Sequence, residues 1–264
     1  MVSRVISRRV ISRRALNRAT LARQLLLSRH RMPAMRAVEH LVGLQAQAPQ
    51  PPYFGLWCRL AGFRPAELAD LLVERRAVRI VLMRGTVHLV SAEDCLTVRP
   101  LVQPVLTRYL AAFGPASVAD LQTWSGLTGL REVVERLRPR LVSLTDEHGG
   151  ELLDLPEAPR PGEDGPAPVR LLAPFDNLLL SHADRTRIIS EEHRRRVITV
   201  NGQVLGTVLV DGFVRGVWRR DKARVRIELF APQPPAVVEE IAAEAAALAE
   251  FAEPGRPHRI EGLA

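Results

Sequence analysis

Two β-rich runs, Val78-Arg79-Ile80-Val81-Leu82-Met83 and Thr86-Val87-His88-Leu89-Val90, meet across Arg84-Gly85 directly behind three helical stretches. Alternating runs joined by a glycine turn read as a hairpin. Helices followed by such a hairpin are the order of a winged helix-turn-helix unit. The helices come from apolar spacing. Ala15 to Ser28 sets Leu16, Leu21, Leu25 and Leu26 at helical intervals with arginine between them. Pro33 suits the first turn of a second helix through Val38, Leu41 and Val42, and Pro65 opens a third with Leu68, Leu71 and Leu72 inward. The order then recurs. Val102 to Phe113 reads as a helix, and Ser117 as the N-cap of a short one. Leu130 to Leu137 reads as a recognition-type helix, and Leu141–Leu144 and Glu151–Leu155 flank His148-Gly149-Gly150 as a second wing. The internal identity is too low to prove a repeat by itself.

The expected organisation is a basic disordered arm over 1–14, a first winged-helix unit over 15–108 and a second over 109–156. A Pro- and Gly-rich linker or exposed loop follows over 157–168. The C-terminal part, 169–264, is β-rich: Val197–Asn201, Val204–Val210, Phe213–Trp218 and Val225–Phe230 are joined by hairpin turns. An Ala- and Glu-rich helix spans Ala236–Phe251, and the tail ends in a short strand. The fold class is therefore α+β: tandem winged helix-turn-helix units, then a small antiparallel β-sheet or partial barrel and a C-terminal helix.

Charge narrows the partners. The 264 residues carry 37 basic and 29 acidic side chains, a formal net charge of +8. Such a surface favours phosphate backbones, acidic partners or anionic lipid. Lys222 is the sole lysine. A GC-rich genome exchanges Lys for Arg but adds no charge, so the excess still needs a cause. No apolar run approaches a membrane span. Cys58 and Cys95 are far apart, match no metal spacing and suit a reducing compartment. A cytoplasmic, nucleoid-associated monomer without metal or cofactor is expected.

Four segments carry chemistry. Gln45 and Gln47, in Leu44-Gln45-Ala46-Gln47, run into Pro49, Pro51 and Pro52. Residues two apart share a face only in extended chain, and Pro49 disfavours helix at Ala48. Both amides can then converge on one ligand; the alternative is a helix end whose glutamines satisfy nearby backbone groups. Arg84, Thr86 and His88 form a polar hairpin set, with a merely hydrogen-bonded His88 as the alternative. In 173–185, Asp176 and Asn177 precede an apolar run that Ser181, His182, Asp184 and Arg185 follow. No nucleophile elbow supports a Ser/His/Asp triad there, so capping by Asp176 and Asn177 with an Arg185 ion pair is the reading preferred. Arg194, Arg195 and Arg196 suggest phosphate contact, or a solvated helix end.

Taken in order, Leu44-Gln45-Ala46-Gln47-Ala48-Pro49, Arg84-Gly85-Thr86-Val87-His88-Leu89, Pro174-Phe175-Asp176-Asn177-Leu178-Leu179-Leu180 through Asp184-Arg185, and Val208-Leu209-Val210-Asp211-Gly212 resemble the AlkZ/YcaQ-like family of winged-helix DNA-binding proteins. The resemblance implies a monofunctional DNA glycosylase that removes alkylated purines and can unhook interstrand crosslinks. It implies a Gln-apolar-Gln catalytic motif, matched by Gln45 and Gln47. It implies DNA contacts around Thr86 and His88, to which the basic residues Arg84, Arg185, Arg194, Arg195 and Arg196 are added. Relatives carry three winged helices, and here Tyr109–Gly114 joins the first unit almost directly to the last, as if the middle one were missing.

Amides fit that chemistry in a limited way. Ordinary glycoside cleavage uses two carboxylates. Two carboxamides can only hold a water and aim dipoles at developing charge. An N7- or N3-alkylated purine is already cationic and leaves without a strong acid, so damaged double-stranded DNA is the substrate such a pair can serve. A sole lysine argues against a Schiff-base lyase step. The competing readings are a non-catalytic winged-helix DNA-binding protein (regulator or inactive truncated paralogue) and, more remotely, a protein-interaction module.

Overall fold

The computed structural model describes residues 9–81, 86–98, 102–127, 130–222 and 224–263. The chain opens with β1 (Arg9–Val10) and α1 (Arg13–Arg23), continues through α2 (Ala34–His40), β2 (Leu44–Gln45), α3 (Pro51–Trp57) and α4 (Pro65–Val73), and reaches the hairpin strands β3 (Ala77–Val81) and β4 (Val87–Ser91). Next come α5 (Ala92–Val98), α6 (Val102–Phe113), α7 (Val118–Ser125), α8 (Arg131–Leu137), β5 (Val142–Thr145) and β6 (Glu151–Asp154). The last part holds β7 (Arg170–Leu172), α9 (Glu191–Val197), β8 (Gly206–Val210), β9 (Phe213–Asp221), β10 (Arg224–Leu229), α10 (Pro235–Ala252) and β11 (Arg259–Glu261). The result is a mixed α+β fold with three small sheets, ordered β2-β4-β3, β1-β5-β6 and β11-β10-β9-β8-β7, and a long C-terminal helix. No described helix is long and apolar enough to cross a membrane.

Several expectations need correction. The supposed disordered arm is in part sheet: Arg9–Val10 pairs in parallel with β5, and Ser12 caps α1 by accepting from the Ala15 N–H. Beyond the non-helical corner at 46–50, Pro51 opens a helix that was not expected, since proline at the first helical position loses no hydrogen bond. The run Val197–Asn201 is no strand. Its first residue closes α9, whose N-cap Ser190 was not read from the sequence. The C-terminal sheet gains β7 at one edge, and β11 pairs with β10 in parallel rather than antiparallel. The 157–168 segment is strapped to α1, where Arg18 Nε donates to the Gly165 carbonyl at 2.7 Å.

The cores do not follow the sequence segments. One continuous core runs from α1, α2, α3 and α4 through β4 into β7–β10 and α10, so the first unit and the C-terminal sheet fold against each other. The aromatic residues of α3 serve this junction: Phe54 meets Trp218 edge-on at 5.8 Å, and Trp57 lies 5.6 Å from Phe251. The α6–α8 segment keeps a core of its own around Tyr109, Phe113 and Trp124.

Buried arginines join the parts. Arg23 makes a two-pronged pair with Asp154 at 2.8 Å, with both side chains fully buried. Arg59 does the same with Asp176, at 2.8 and 2.9 Å. Arg187 donates to the Pro115 carbonyl at 2.7 Å and lies 3.8 Å from Asp120, while Arg18 pairs with Asp211. Part of the arginine excess is therefore structural. A planar guanidinium can satisfy a carboxylate and carbonyls together in the interior, so net charge overstates what remains for a ligand.

His182 sits at the junction of these parts, fully buried, its Nε2 donating to the Phe113 carbonyl at 3.1 Å. Burial first, then the charge of Arg187, pushes its pKa down from 6.5 to about 4 against the pull of Asp120. The unfolded chain thus holds a proton that the folded chain lacks between those values. The stabilisation is complete above 6.5 and is lost as pH falls toward 4. We expect the melting temperature to drop across this window, and His182→Gln to flatten the drop. Equal slopes for the two proteins in thermal melts would refute this.

Candidate active site

Gln45 reaches its place through a sharp change of direction. After α2 the chain turns at Val42 (φ 56°) and Gly43 (φ 91°). A Cβ on Gly43 would meet the Val90 side chain at 2.6 Å and the Leu89 carbonyl oxygen at 2.8 Å, so only glycine fits. The chain then enters β2, where Gln45 stands opposite His88 of β4. Asn177 Nδ2 donates to the Gly43 carbonyl at 3.2 Å, tying this turn to the 174–185 segment.

The two glutamines fare differently. Gln45 is buried. Gln47 is exposed, and its Oε1 accepts from the Val87 N–H at 3.2 Å. The corner between them is fixed from both sides: the Ala46 N–H donates to the Val87 carbonyl at 2.8 Å, and Arg79 donates to the Ala46 carbonyl at 2.7 Å. Backbone satisfaction by Gln47, one of the two sequence alternatives, therefore does occur, but from an extended segment rather than a helix end.

Gln45, Thr86 and Arg185 line one cleft of about 220 Å³, together with Thr123 of α7, Phe175, Leu180, Gly202 and Val204. The cleft thus draws on the first unit, the α6–α8 segment and the C-terminal part at once. Among the described residues no carboxylate lines it. Phe175 adopts φ 60°, a strained geometry for an aromatic residue, and its N–H donates to the Val204 carbonyl at 3.2 Å. Gln47 is not among the lining residues; it lies against β4 next to Thr86.

Of the expected DNA contacts, Arg84 lies outside the described residues. Thr86 is half-buried at the cleft. His88 is fully buried, with Nδ1 donating to the Thr86 carbonyl at 2.9 Å, a contact that braces the strand. Arg185 is half-buried and donates from Nε to the His182 carbonyl at 3.3 Å. The expected Arg185 ion pair does not form: no described carboxylate lies within salt-bridge distance of Arg185, and Asp176 is taken by Arg59. Burial, and then the charge of Arg194, holds the Arg185 pKa below its ordinary value. The triplet is split by helical geometry. Arg194 pairs with Glu191, Arg196 pairs with Glu228 and stacks 4.1 Å over Phe230, and Arg195 is exposed.

Thr123, Phe175, Gly202 and Val204 escaped the sequence reading because they meet Gln45 only through tertiary packing. The positive φ of a Phe between Pro174 and Asp176 leaves no mark in sequence. Cys58 is buried, its pKa pushed up to about 11 chiefly by desolvation, so it is an inert thiol. Among the described residues no group of three or more His, Cys, Asp or Glu could hold a metal ion.

A family model described as DNA glycosylase AlkZ-like matches residues 38–108 and 105–251. The chain belongs to the AlkZ-like DNA glycosylase family. The cleft, Gln45 and Gln47 all lie within the matched residues. Among solved structures, the DNA glycosylase AlkZ of Streptomyces sahachiroi matches with a TM-score of 0.81 at 16% identity, over 95% of this chain and 99% of that chain. At that identity the likeness is one of fold. A comparison with curated proteins found no match.

Proposed function

We propose that this AlkZ-like glycosylase hydrolyses the N-glycosidic bond of N7- or N3-alkylated purines in double-stranded DNA, and that crosslinked purines fall within the same class. The carrying observation is the described lining of the cleft: a carboxamide, two hydroxyls and a guanidinium, with no carboxylate among the described residues. Such a set can order a water and oppose charge changes but cannot protonate a leaving base. It suits a base that is already cationic. Gln45 is assigned to the water and the developing sugar cation, with Gln47, fixed on β4, beside it. Arg185 is assigned to a phosphate next to the lesion, since a half-buried guanidinium without a carboxylate partner favours an anion. Among the described residues no lysine lines the cleft, which supports a monofunctional enzyme. The family match breaks into two pieces that overlap at 105–108, within α6. That break supports a chain shortened by one middle winged-helix unit.

The deciding experiment is release of N7-methylguanine from methylated duplex DNA, with apurinic sites counted independently. Release by wild-type protein supports the reading. DNA binding without release leaves the non-catalytic DNA-binding protein in its place.

A further inference from the structure

On the C-terminal sheet, the β9–β10 register sets Arg219 directly opposite Arg226. Both are exposed, and neither pairs with a carboxylate among the described residues. Like charges opposite each other on adjacent strands are destabilising. The nearby carboxylate on the same strand, Glu228, is taken by Arg196 at 2.8 Å. On its other side Arg226 stands in register with Glu261 of β11, yet neither Arg219 nor Arg226 forms an ion pair among the described residues, and both guanidinium groups stay exposed.

They open into a groove of about 830 Å³. Its far wall is Phe230 to Gln233, and Val238 of α10 and Leu263 also face it. Pro232 and the Gln233 side chain, donating to the Ala231 carbonyl at 3.1 Å, stiffen that wall. Phe230 is clamped between Arg196 and His193, whose ring lies 4.7 Å away. The groove also relates to the cleft. Arg196 stacks on its wall from α9, Arg194 of the same helix lines a pocket with Arg185, and Arg185 lines the Gln45 cleft.

We propose that this groove is a second DNA contact, in which Arg219 and Arg226 together hold the phosphodiester backbone of the duplex flanking the lesion. The proposal needs DNA as the partner but not any particular bond being cut. Paired guanidinium groups match phosphate oxygens by two-pronged hydrogen bonding, and a phosphodiester backbone gives both of them an acceptor that they do not find in an ion pair among the described residues.

The test is binding of undamaged duplex DNA, followed by fluorescence anisotropy over a salt series, for wild type and Arg219→Gln/Arg226→Gln. The contact predicts at least about tenfold weaker binding and a slope of log affinity against log salt that is smaller by about 2. Thermal stability should hold or rise, because the like-charge pair is relieved. Single-turnover base release at saturating protein should not change, so failure of the glycosylase reading would be seen separately. Arg64→Gln/Arg256→Gln, removing the same charge from two solvent-projecting side chains, serves as control. An unchanged affinity and slope, or a loss no larger than in the control, overturns the proposal.

Discussion

Gln45→Ala should lower single-turnover release of N7-methylguanine by about 10²–10³-fold on the proposed function, the usual cost of removing one preorganised donor aimed at developing charge. Gln45 is buried in a cleft with no carboxylate among its described lining residues, and the nearby Asp176 is held in a two-pronged pair by Arg59. Gln47→Ala acts on the same step. It also releases the Val87 N–H, so the corner loosens together with the chemistry. The two losses should be far from additive, because the proposal assigns both side chains to one water. Duplex affinity should stay close to that of wild type, since amides contribute little beside phosphate contacts. The measurement is release from methylated duplex, with thermal melts on each variant to exclude misfolding. A Gln45→Ala rate within about threefold of wild type would remove Gln45 from the mechanism.

Asp176→Ala should cost about 3–5 kcal/mol of folding stability, a large share of the roughly 5–15 kcal/mol typical of a domain. The substitution strands the Arg59 guanidinium, which is fully buried with both prongs on Asp176. It also removes the acceptor for the Leu178 N–H. Replacing both partners, as Arg59→Met/Asp176→Leu, should recover much of the loss, because no charge is then left unpaired in the interior. Denaturant unfolding reads the effect. A loss below about 1 kcal/mol, the level of an exposed ion pair, would mean the pair is structurally idle. Asp176 adjoins Phe175 of the cleft, and Asn177 holds the Gly43 turn ahead of Gln45. Stability and activity should therefore fall together here, whereas Gln45→Ala separates them.

Element types were legible wherever local chemistry dominates. Ser117 and Pro65 mark helix starts because capping hydroxyls and N-terminal prolines act within one turn. The Asp211-Gly212 turn between β8 and β9 shows because both residues must take positive φ, 50° and 82°. The run Val197–Asn201 reads as a strand because its β-branched residues outweigh the helix that Ser190 caps seven residues before Val197. The role of Asp176 was half legible. Its capping of the Leu178 N–H is local, but its ion partner, Arg59, lies 117 residues away. The arginine triplet looked like one basic patch. A helical turn of about 100° per residue instead sends Arg194 and Arg196 to different carboxylates.

By itself the sequence determined the order of helices and hairpins, the excess of positive charge and the Gln45-Ala46-Gln47 motif. Each of these is fixed within a few residues by propensity, turn chemistry or composition. Only the tertiary structure decided that Gln45 is buried beside Arg185, Thr123 and Phe175, that His88 faces inward, and that several arginines are taken up by interior carboxylates. Those outcomes depend on burial and pairing between segments far apart in the chain, where desolvation is large enough to override any local preference.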